Sequence, residues 1–325
     1  MNGQNRSRRY AADEGRPERR ARRTSGRRDR AVRYGRVVTV VAALAAVFAA
    51  AACGSSPVSG SRPEGASRSP DRARAAYTAH AVTTLPNRYI TALSDGALAA
   101  RYGYNLADVQ PDRSVIDALP AGVRALVWIG DYSHVTCSFA RSDANVRAAI
   151  AGLAGDPKVA GYYIDDEADY ALPADGGYCQ DVVAQAAARS ALVHELAPGT
   201  FTYEVVSDPG NYKAFAHVTD VLGATAFPCL VGKPCDWNLI PDRIAALDAA
   251  QVPHYWAVLD AFAQDQWRWP TPAELTNMIW QWERSRWEGE QTFAWTWRSS
   301  SLASQPSLLA VLSSLNTGQL KPPSG

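Results

Sequence analysis

Short apolar runs alternate with amphipathic or alanine-rich stretches along the chain from about residue 85 onwards. The runs are bounded by turn residues and are rich in branched and aromatic side chains, which is typical of buried strands. They occur at 88–93, 104–109, 123–129, 159–165, 200–206, 221–227, 254–260 and 291–297. The intervening segments favour helices, at 95–102, 113–119, 142–153, 180–196, 212–217, 242–250, 271–286 and 307–315. This order of eight strand–helix units predicts a parallel sheet with helices packed outside it.

Capping residues support several of these boundaries. Thr271, Pro272 and Glu274 form the pattern of a capping box with proline in the first helical position. Ser142 is a suitable N-cap for the helix that follows it, and Pro198 and Gly199 stop the long alanine-rich helix. The turns and the apolar pattern therefore predict the same elements.

The eight units fill roughly 230 residues, which suits a closed α/β barrel of the (β/α)8 TIM type. A doubly wound open sheet is the alternative, but no strand is followed by the GxGxxG turn common in that fold. We therefore predict one barrel domain at 85–318. In such barrels the functional side chains lie on the loops that follow the carboxyl ends of the strands.

The first 53 residues have a different pattern, with a basic arm followed by an apolar segment. Residues 1–36 hold thirteen arginines and four acidic residues, and residues 37–52 hold no charge. Positive charge before an apolar segment that ends in small residues is typical of an export signal. The stretch from Ala50 to Cys53 resembles a bacterial lipobox, with Ala50 in place of the usual leucine, and this implies lipidation of Cys53. An uncleaved membrane anchor and a plain secretory signal are the alternatives.

Residues 54–84 are rich in Ser, Pro, Gly, Ala and Arg without apolar periodicity, which predicts a flexible, disordered linker. Beyond residue 36 the chain carries 20 basic and 28 acidic residues, so the exported part is acidic. That balance disfavours nucleic acid as a partner and leaves the arginine-rich arm as part of the signal. We expect a monomer on the extracellular face of the cell membrane, held by a lipid anchor at Cys53, with full secretion as the alternative.

Four cysteines lie in the predicted barrel, and their even number in an exported domain favours two disulfides. Three pairings are possible, and the short loop between Cys229 and Cys235 favours that pair, which leaves Cys137 with Cys179. A zinc site built from all four is the alternative, but no CxxC pair is present. We expect no metal and no cofactor.

The fourth predicted strand ends in three consecutive carboxyl groups, Asp165, Asp166 and Glu167. Acidic groups held close together raise one another's pKa, and a raised carboxyl suits general acid catalysis near neutral pH. A solvated loop is the alternative. The chain has no GxSxG, HExxH or P-loop motif, which disfavours the serine hydrolase, zinc hydrolase and nucleotide-binding classes.

A strand ending in Tyr162-Tyr163-x-x-Asp166-Glu167 resembles the fourth strand of barrel glycoside hydrolases, in the clan that includes many retaining β-glycanases. Residues 256–275 and the aromatic segment 293–297 are similar to the same superfamily, and the resemblance covers roughly residues 120–300. It implies Glu167 as the acid/base, with Asp166 as its neighbour. The clan has a glutamate nucleophile at the end of strand seven, where this chain has the shorter Asp260. Carboxyls ~5–5.5 Å apart would retain the anomeric configuration, and carboxyls ~6.5–9.5 Å apart would invert it.

Other polar and aromatic side chains near the strand ends are candidate sugar contacts, because sugar C–H faces stack on aromatic rings. They are Asp165, Glu204, Trp128, Asp131, His134, Trp295 and Trp297. A charge paired inside the barrel is the alternative for Glu204, and Trp267 and Trp269 are loop residues that could line a cleft. We expect a membrane-tethered glycoside hydrolase that acts on an extracellular or cell-envelope glycan. A barrel that binds carbohydrate without turnover and a structural envelope lipoprotein are the alternatives.

Overall fold

A closed barrel of eight parallel strands forms the domain in the computed structural model, which describes residues 85–171 and 179–322. Each strand pairs with the next along the chain, and the eighth closes against the first. The strands are β1 (Asn87–Ile90), β2 (Leu106–Val109), β3 (Arg124–Trp128), β4 (Val159–Asp166), β5 (Phe201–Val206), β6 (Val221–Thr225), β7 (Tyr255–Asp260) and β8 (Gly289–Phe293). The prediction of a (β/α)8 TIM barrel is confirmed.

A helix follows each strand. The helices are α1 (Gly96–Arg101), α2 (Arg113–Asp117), α3 (Asp143–Leu153), α4 (Val182–Leu196), α5 (Tyr212–Phe215), α6 (Leu239–Ala249), α7 (Pro272–Trp282) and α8 (Pro306–Asn316). None of the helices in the described ranges is long and apolar enough to cross a membrane. The predicted signal segment, Cys53 and the linker at 54–84 lie outside the described residues.

Aromatic rings fill the interior of the barrel. Tyr203 stacks on Trp256 with ring centroids 4.5 Å apart, and Tyr163 lies 4.9 Å from Tyr203. Glycines on the neighbouring strands make room for these rings, since a Cβ at Gly223 would overlap the Tyr203 hydroxyl and one at Gly289 would lie 2.7 Å from Trp256. The interior is therefore a packed core and not a pore, so a ligand site has to lie at an end of the barrel.

The ends of α7 and β8 differ most from the sequence prediction. Helix α7 has the predicted capping box at Thr271 and Glu274 but ends at Trp282, because the next residues turn back toward the start of β7. There the Arg286 amide donates to the Tyr255 hydroxyl at 3.0 Å. Strand β8 ends at Phe293, and Thr296–Trp297 pairs instead with Ser300–Ser301 in a separate hairpin.

Both predicted disulfides are present, so the zinc alternative is wrong. Cys137 and Cys179 join the loop after β3 to the loop before α4, with a sequence separation of 42. Cys229 and Cys235 close the loop after β6, with a separation of 6. Both bridges therefore fasten loops at the carboxyl end of the barrel, where function is expected.

Candidate active site at the carboxyl end of the barrel

A cleft of about 350 Å³ opens among the loops that follow strands β4 to β8. This volume falls in the ~300–1,000 Å³ range of small-molecule sites. Its charged and aromatic lining residues are Asp166, Glu167, Asp265, Arg243, Arg298, Tyr170, Phe227, Phe262, Trp267, Phe293 and Trp297. Strands four and eight lie on opposite sides of an eight-stranded barrel, so the cleft is lined by residues that follow opposite strands, Glu167 after β4 and Trp297 after β8.

An irregularity in β4 decides which carboxyl reaches the cleft. The pairing with β5 shifts between Tyr163 and Asp165, so that Asp165 lies beside Glu204 and Asp166 lies beside Val205. Side chains at paired positions share a face, and Val205 belongs to the interior cluster. The shift therefore aims Asp166 into the cleft and Asp165 away from it, as bulges beside active sites commonly do.

Glu167 enters the cleft through an unusual backbone conformation. Its φ is +61°, in the left-handed region that few residues with side chains adopt. The Glu167 amide donates to the Val205 carbonyl at 3.0 Å, and the Glu167 carbonyl accepts from the Tyr170 amide at 3.1 Å. These bonds hold a conformation that would otherwise cost ~1–3 kcal/mol, and such conformations cluster at functional sites.

Asp169 anchors the turn that carries Glu167. Its carboxylate accepts hydrogen bonds from the amides of Ser207 at 3.2 Å and Asp208 at 2.9 Å, and from the Asn211 side chain at 3.2 Å. All of these donors belong to the loop after β5. The buried Asp169 therefore fixes the position of Glu167 relative to the neighbouring loop and does not itself line the cleft.

The two cleft carboxyls of β4 differ in their electrostatic environment. Burial raises the pKa of Glu167 well above its usual range, and the charges of Asp166 and Asp169 raise it further. Burial also raises the pKa of Asp166, to about 6, while a hydrogen bond from the Tyr163 hydroxyl at 2.8 Å opposes that rise. Of these two adjacent carboxyls, Glu167 is therefore the better suited to hold a proton and Asp166 the better suited to carry a charge.

Aromatic rings line the cleft on the side of β6, β7 and β8. Trp297 lies 5.3 Å from Phe293, and Trp267 lies 5.6 Å from Phe262 and 6.0 Å from Phe227, between ring centroids. Trp267 and Trp297 are only partly buried, so their surfaces are accessible to a ligand. Rings of this kind offer large apolar contact area at small entropic cost. The cleft can thus hold a sugar ring between aromatic faces and an acidic edge.

The structure does not bring Asp260 to the cleft. This last residue of β7 is fully buried, and its amide donates to the Met278 sulfur at 3.4 Å. Burial raises the pKa of Asp260 well above its usual range, and hydrogen bonding from the backbone of Cys229 and Phe262 opposes that rise. The carboxyl that the resemblance implies as the partner of Glu167 therefore lies beneath the loops.

Asp165 and Glu204 also lie outside the cleft. Asp165 is buried and accepts hydrogen bonds from the amides of Asp131 at 2.9 Å and Tyr132 at 3.2 Å, so it holds the loop after β3. Burial raises the pKa of Asp165 to about 8, against the effect of those two donors. Glu204 is buried beside it, and among the described residues neither of its oxygens has a hydrogen-bond partner. Burial therefore raises the pKa of Glu204 well above its usual range.

The remaining predicted contacts occupy three other places. Trp128 packs in the barrel interior against Tyr163 at 4.8 Å. Asp131 and His134 lie exposed on the loop after β3 and do not line the cleft. Trp295 packs against Tyr102 at 6.0 Å. Of the predicted aromatic contacts, Trp297 and Trp267 line the cleft.

Sequence reasoning gave no role to three charged residues of the cleft, Arg243, Asp265 and Arg298. Arg243 lies on α6, which starts one turn earlier than its apolar pattern predicts, and its Nε donates to the Thr225 carbonyl at 3.1 Å. Asp265 forms an ion pair with Arg298 at 2.7 Å, between the loops after β7 and β8. Asp265 stands in a loop with no pattern to single it out, and only the folded chain brings it to Arg298.

No family model matches the chain, and no curated protein matches it. Solved structures similar to it include β-glucuronidase 2 from Bacteroides uniformis, with 15% identity over 62% of this chain and 27% of that one, at a TM-score of 0.44. A β-galactosidase from Marinomonas ef1 has 9% identity over 64% of this chain and 54% of that one, at a TM-score of 0.47. An endo-β-1,3-glucanase of family GH128 from Amycolatopsis mediterranei has 13% identity over 70% of this chain and 99% of that one, at a TM-score of 0.44.

The chain spans about a quarter of the first of these proteins and about half of the second. These solved structures are glycoside hydrolases. At such identities and TM-scores the likeness assigns no activity to this chain. We therefore derive its function from the chemistry of the cleft.

Proposed function

We propose that the protein is a glycoside hydrolase in which Glu167 is the general acid. The observation that carries this proposal is a half-buried carboxyl with a raised pKa, aimed into a cleft that is walled by aromatic rings. Hydrolysis of a glycosidic bond needs a proton for the leaving oxygen, and Glu167 is the group in the cleft best suited to hold one near neutral pH.

The rest of the cleft supports the same chemistry. Ionised Asp166 can stabilise the positive charge that develops on the sugar ring when the glycosidic bond breaks. Trp297 and Trp267 provide surfaces on which a sugar ring can stack. A carboxyl acid, a neighbouring carboxylate and aromatic platforms form a set suited to a carbohydrate.

We place the enzyme outside the cell, tethered through a lipid on Cys53. The basic arm, the apolar segment at 37–52 and the lipobox-like end support this location. The two disulfides are consistent with an oxidising compartment. The substrate would then be an extracellular or cell-envelope glycan, reached from the end of the linker at 54–84.

The test is hydrolysis of a panel of extracellular glycans by the full chain and by Glu167→Gln. We expect at least one glycan to be cleaved and kcat for it to fall ~10²–10⁴-fold in the variant, which is the usual contribution of a general acid. Glu195→Gln is the matched control, because Glu195 is an exposed glutamate on α4. Equal kcat values for the wild type and Glu167→Gln would refute the proposal.

A barrel that binds carbohydrate without turnover is the second candidate. The position of Asp260 favours it, because this last residue of β7 does not reach the cleft to complete the pair that the resemblance implies. Calorimetry separates the two candidates. Binding of an oligosaccharide without release of any product by the wild type would establish the binding role, and the absence of any glycan binding would favour a structural lipoprotein.

A further inference from the structure

The cleft poses a chemical question about the group that assists Glu167. Among the residues that the structure describes, the carboxyl groups lining the cleft are Asp166, Glu167 and Asp265. Asp265 is exposed and paired with Arg298 at 2.7 Å. A double displacement by the usual route needs a carboxylate on the opposite face of the sugar from the acid. The described part of the cleft offers no unpaired carboxylate on that side.

Asp166 is in a different relation to Glu167, because the two residues are adjacent in the chain. The register shift in β4 aims Asp166 into the cleft, and the positive φ of Glu167 brings the next side chain to the same place. The Tyr163 hydroxyl holds one oxygen of Asp166 at 2.8 Å. Two carboxyls at the end of one strand would contact the same side of a bound sugar. They can therefore bind two neighbouring substituents of the ring, but they cannot act on opposite faces of C1.

From this adjacency we propose that the substrate is a 2-acetamido sugar, whose amide oxygen is the nucleophile and whose amide N–H is held by Asp166. The proposal rests on the proposed glycosidase function and names its substrate class. The acetamido group is attached to C2, beside the reacting C1. When Glu167 binds the glycosidic oxygen on C1, the acetamido group on C2 therefore lies within reach of the neighbouring Asp166. Participation by such a group is a known alternative to a protein nucleophile.

In the first step, Glu167 donates its proton to the glycosidic oxygen and the bond from C1 to that oxygen breaks. The acetamido carbonyl oxygen forms a bond to C1, which gives a cyclic oxazolinium ion, and the aglycone leaves as an alcohol. The Asp166 carboxylate accepts the hydrogen bond of the amide N–H and offsets its positive charge. This hydrogen bond strengthens as the charge develops, so it stabilises the transition state more than the bound substrate.

In the second step, water gives a proton to the Glu167 carboxylate and its oxygen attacks C1. The bond between C1 and the amide oxygen breaks, which restores the acetamido group and the protonated Glu167. One water molecule is consumed, no electrons are exchanged, and two displacements at C1 leave the anomeric configuration retained. Asp166 is again ionised at the end of the cycle and still accepts the hydrogen bond of the Tyr163 hydroxyl.

The experiment uses the full chain with aryl glycosides in matched pairs, glucosides and galactosides of both anomers beside their 2-acetamido counterparts. We expect cleavage of a 2-acetamido member, at least 100-fold slower cleavage of its 2-hydroxy partner, and a retained product anomer by NMR. The thiazoline analogue of N-acetylglucosamine or N-acetylgalactosamine should compete with that substrate. Asp166→Asn should lower kcat by ~10²–10³-fold, as removal of one group that stabilises transition-state charge does.

Asp117→Asn is the matched control, because Asp117 is exposed on α2 and is not among the residues that line the cleft. Thermal melting of both variants separates loss of chemistry from loss of folding. Equal cleavage of 2-hydroxy sugars, or an inverted product with activity abolished by Asp265→Asn, would overturn this inference alone. Failure to cleave any glycoside above the Glu167→Gln background would remove the proposed function as well.

Discussion

The bridge between Cys137 and Cys179 should contribute more to stability than the second disulfide does, because it closes a much longer loop. The perturbation is the double variant Cys137→Ala with Cys179→Ala, in which alanine avoids placing a hydroxyl at the buried position 179. With a sequence separation of 42, loop-closure entropy predicts a loss of ~4 kcal/mol. The pair Cys229 and Cys235, with a separation of 6, predicts a loss of about 2 kcal/mol.

Differential scanning calorimetry of the oxidised full chain measures this difference. A domain of this size loses roughly 2–4 °C in Tm per kcal/mol, so the first variant should melt ~8–16 °C lower than the wild type and the second ~4–8 °C lower. Reduction of the wild type should lower Tm at least as far as the first variant does. A larger shift for the 229–235 pair than for the 137–179 pair would refute the loop-length reasoning.

Three further predictions concern the cleft and the core. The value of kcat/KM should rise as the pH passes about 6 and Asp166 ionises, and it should fall at higher pH as Glu167 loses its proton. A value of kcat/KM that does not change with pH would contradict these assignments. Trp297→Ala should raise KM about fivefold, which is equivalent to ~1 kcal/mol of lost stacking. Trp295→Ala is the control and should leave KM unchanged, because Trp295 packs against Tyr102. Steady-state kinetics of the two variants measure this difference. Glu290 is buried and its pKa is raised to about 8, whereas in the unfolded chain it ionises at ~4.3, so the folded state loses stability as pH rises between these two values. Glu290→Gln should therefore lower the difference in Tm between pH 5 and pH 8. An unchanged difference would contradict this prediction.

The architecture could be predicted from the sequence because it depends on repeated local signals. Eight apolar runs, the capping box at Thr271 and an even number of cysteines each report on short stretches of chain. The closed barrel follows from their order, and both disulfide pairings follow from the short spacing of Cys229 and Cys235. These features need no knowledge of which side chain faces which.

The site could be predicted only in part, because strict alternation along a strand fails where the register shifts. Counting in twos from Tyr163 aims Asp165 into the barrel, but the shift in β4 delivers Asp166 instead. The same counting aims Asp260 into the barrel along with Trp256, yet it lies buried beneath the loops. The approach of Arg243 to the cleft depends on tertiary packing, which no local pattern encodes.

The most direct test of Glu167 as the general acid is the dependence of kcat/KM on the acidity of the leaving group. We predict a shallow dependence in the wild type and a steep one in Glu167→Gln, with little loss for a dinitrophenyl leaving group that needs no proton and a large loss for a poor one. An equal loss for every leaving group would show that Glu167 is not the proton donor and would contradict the account.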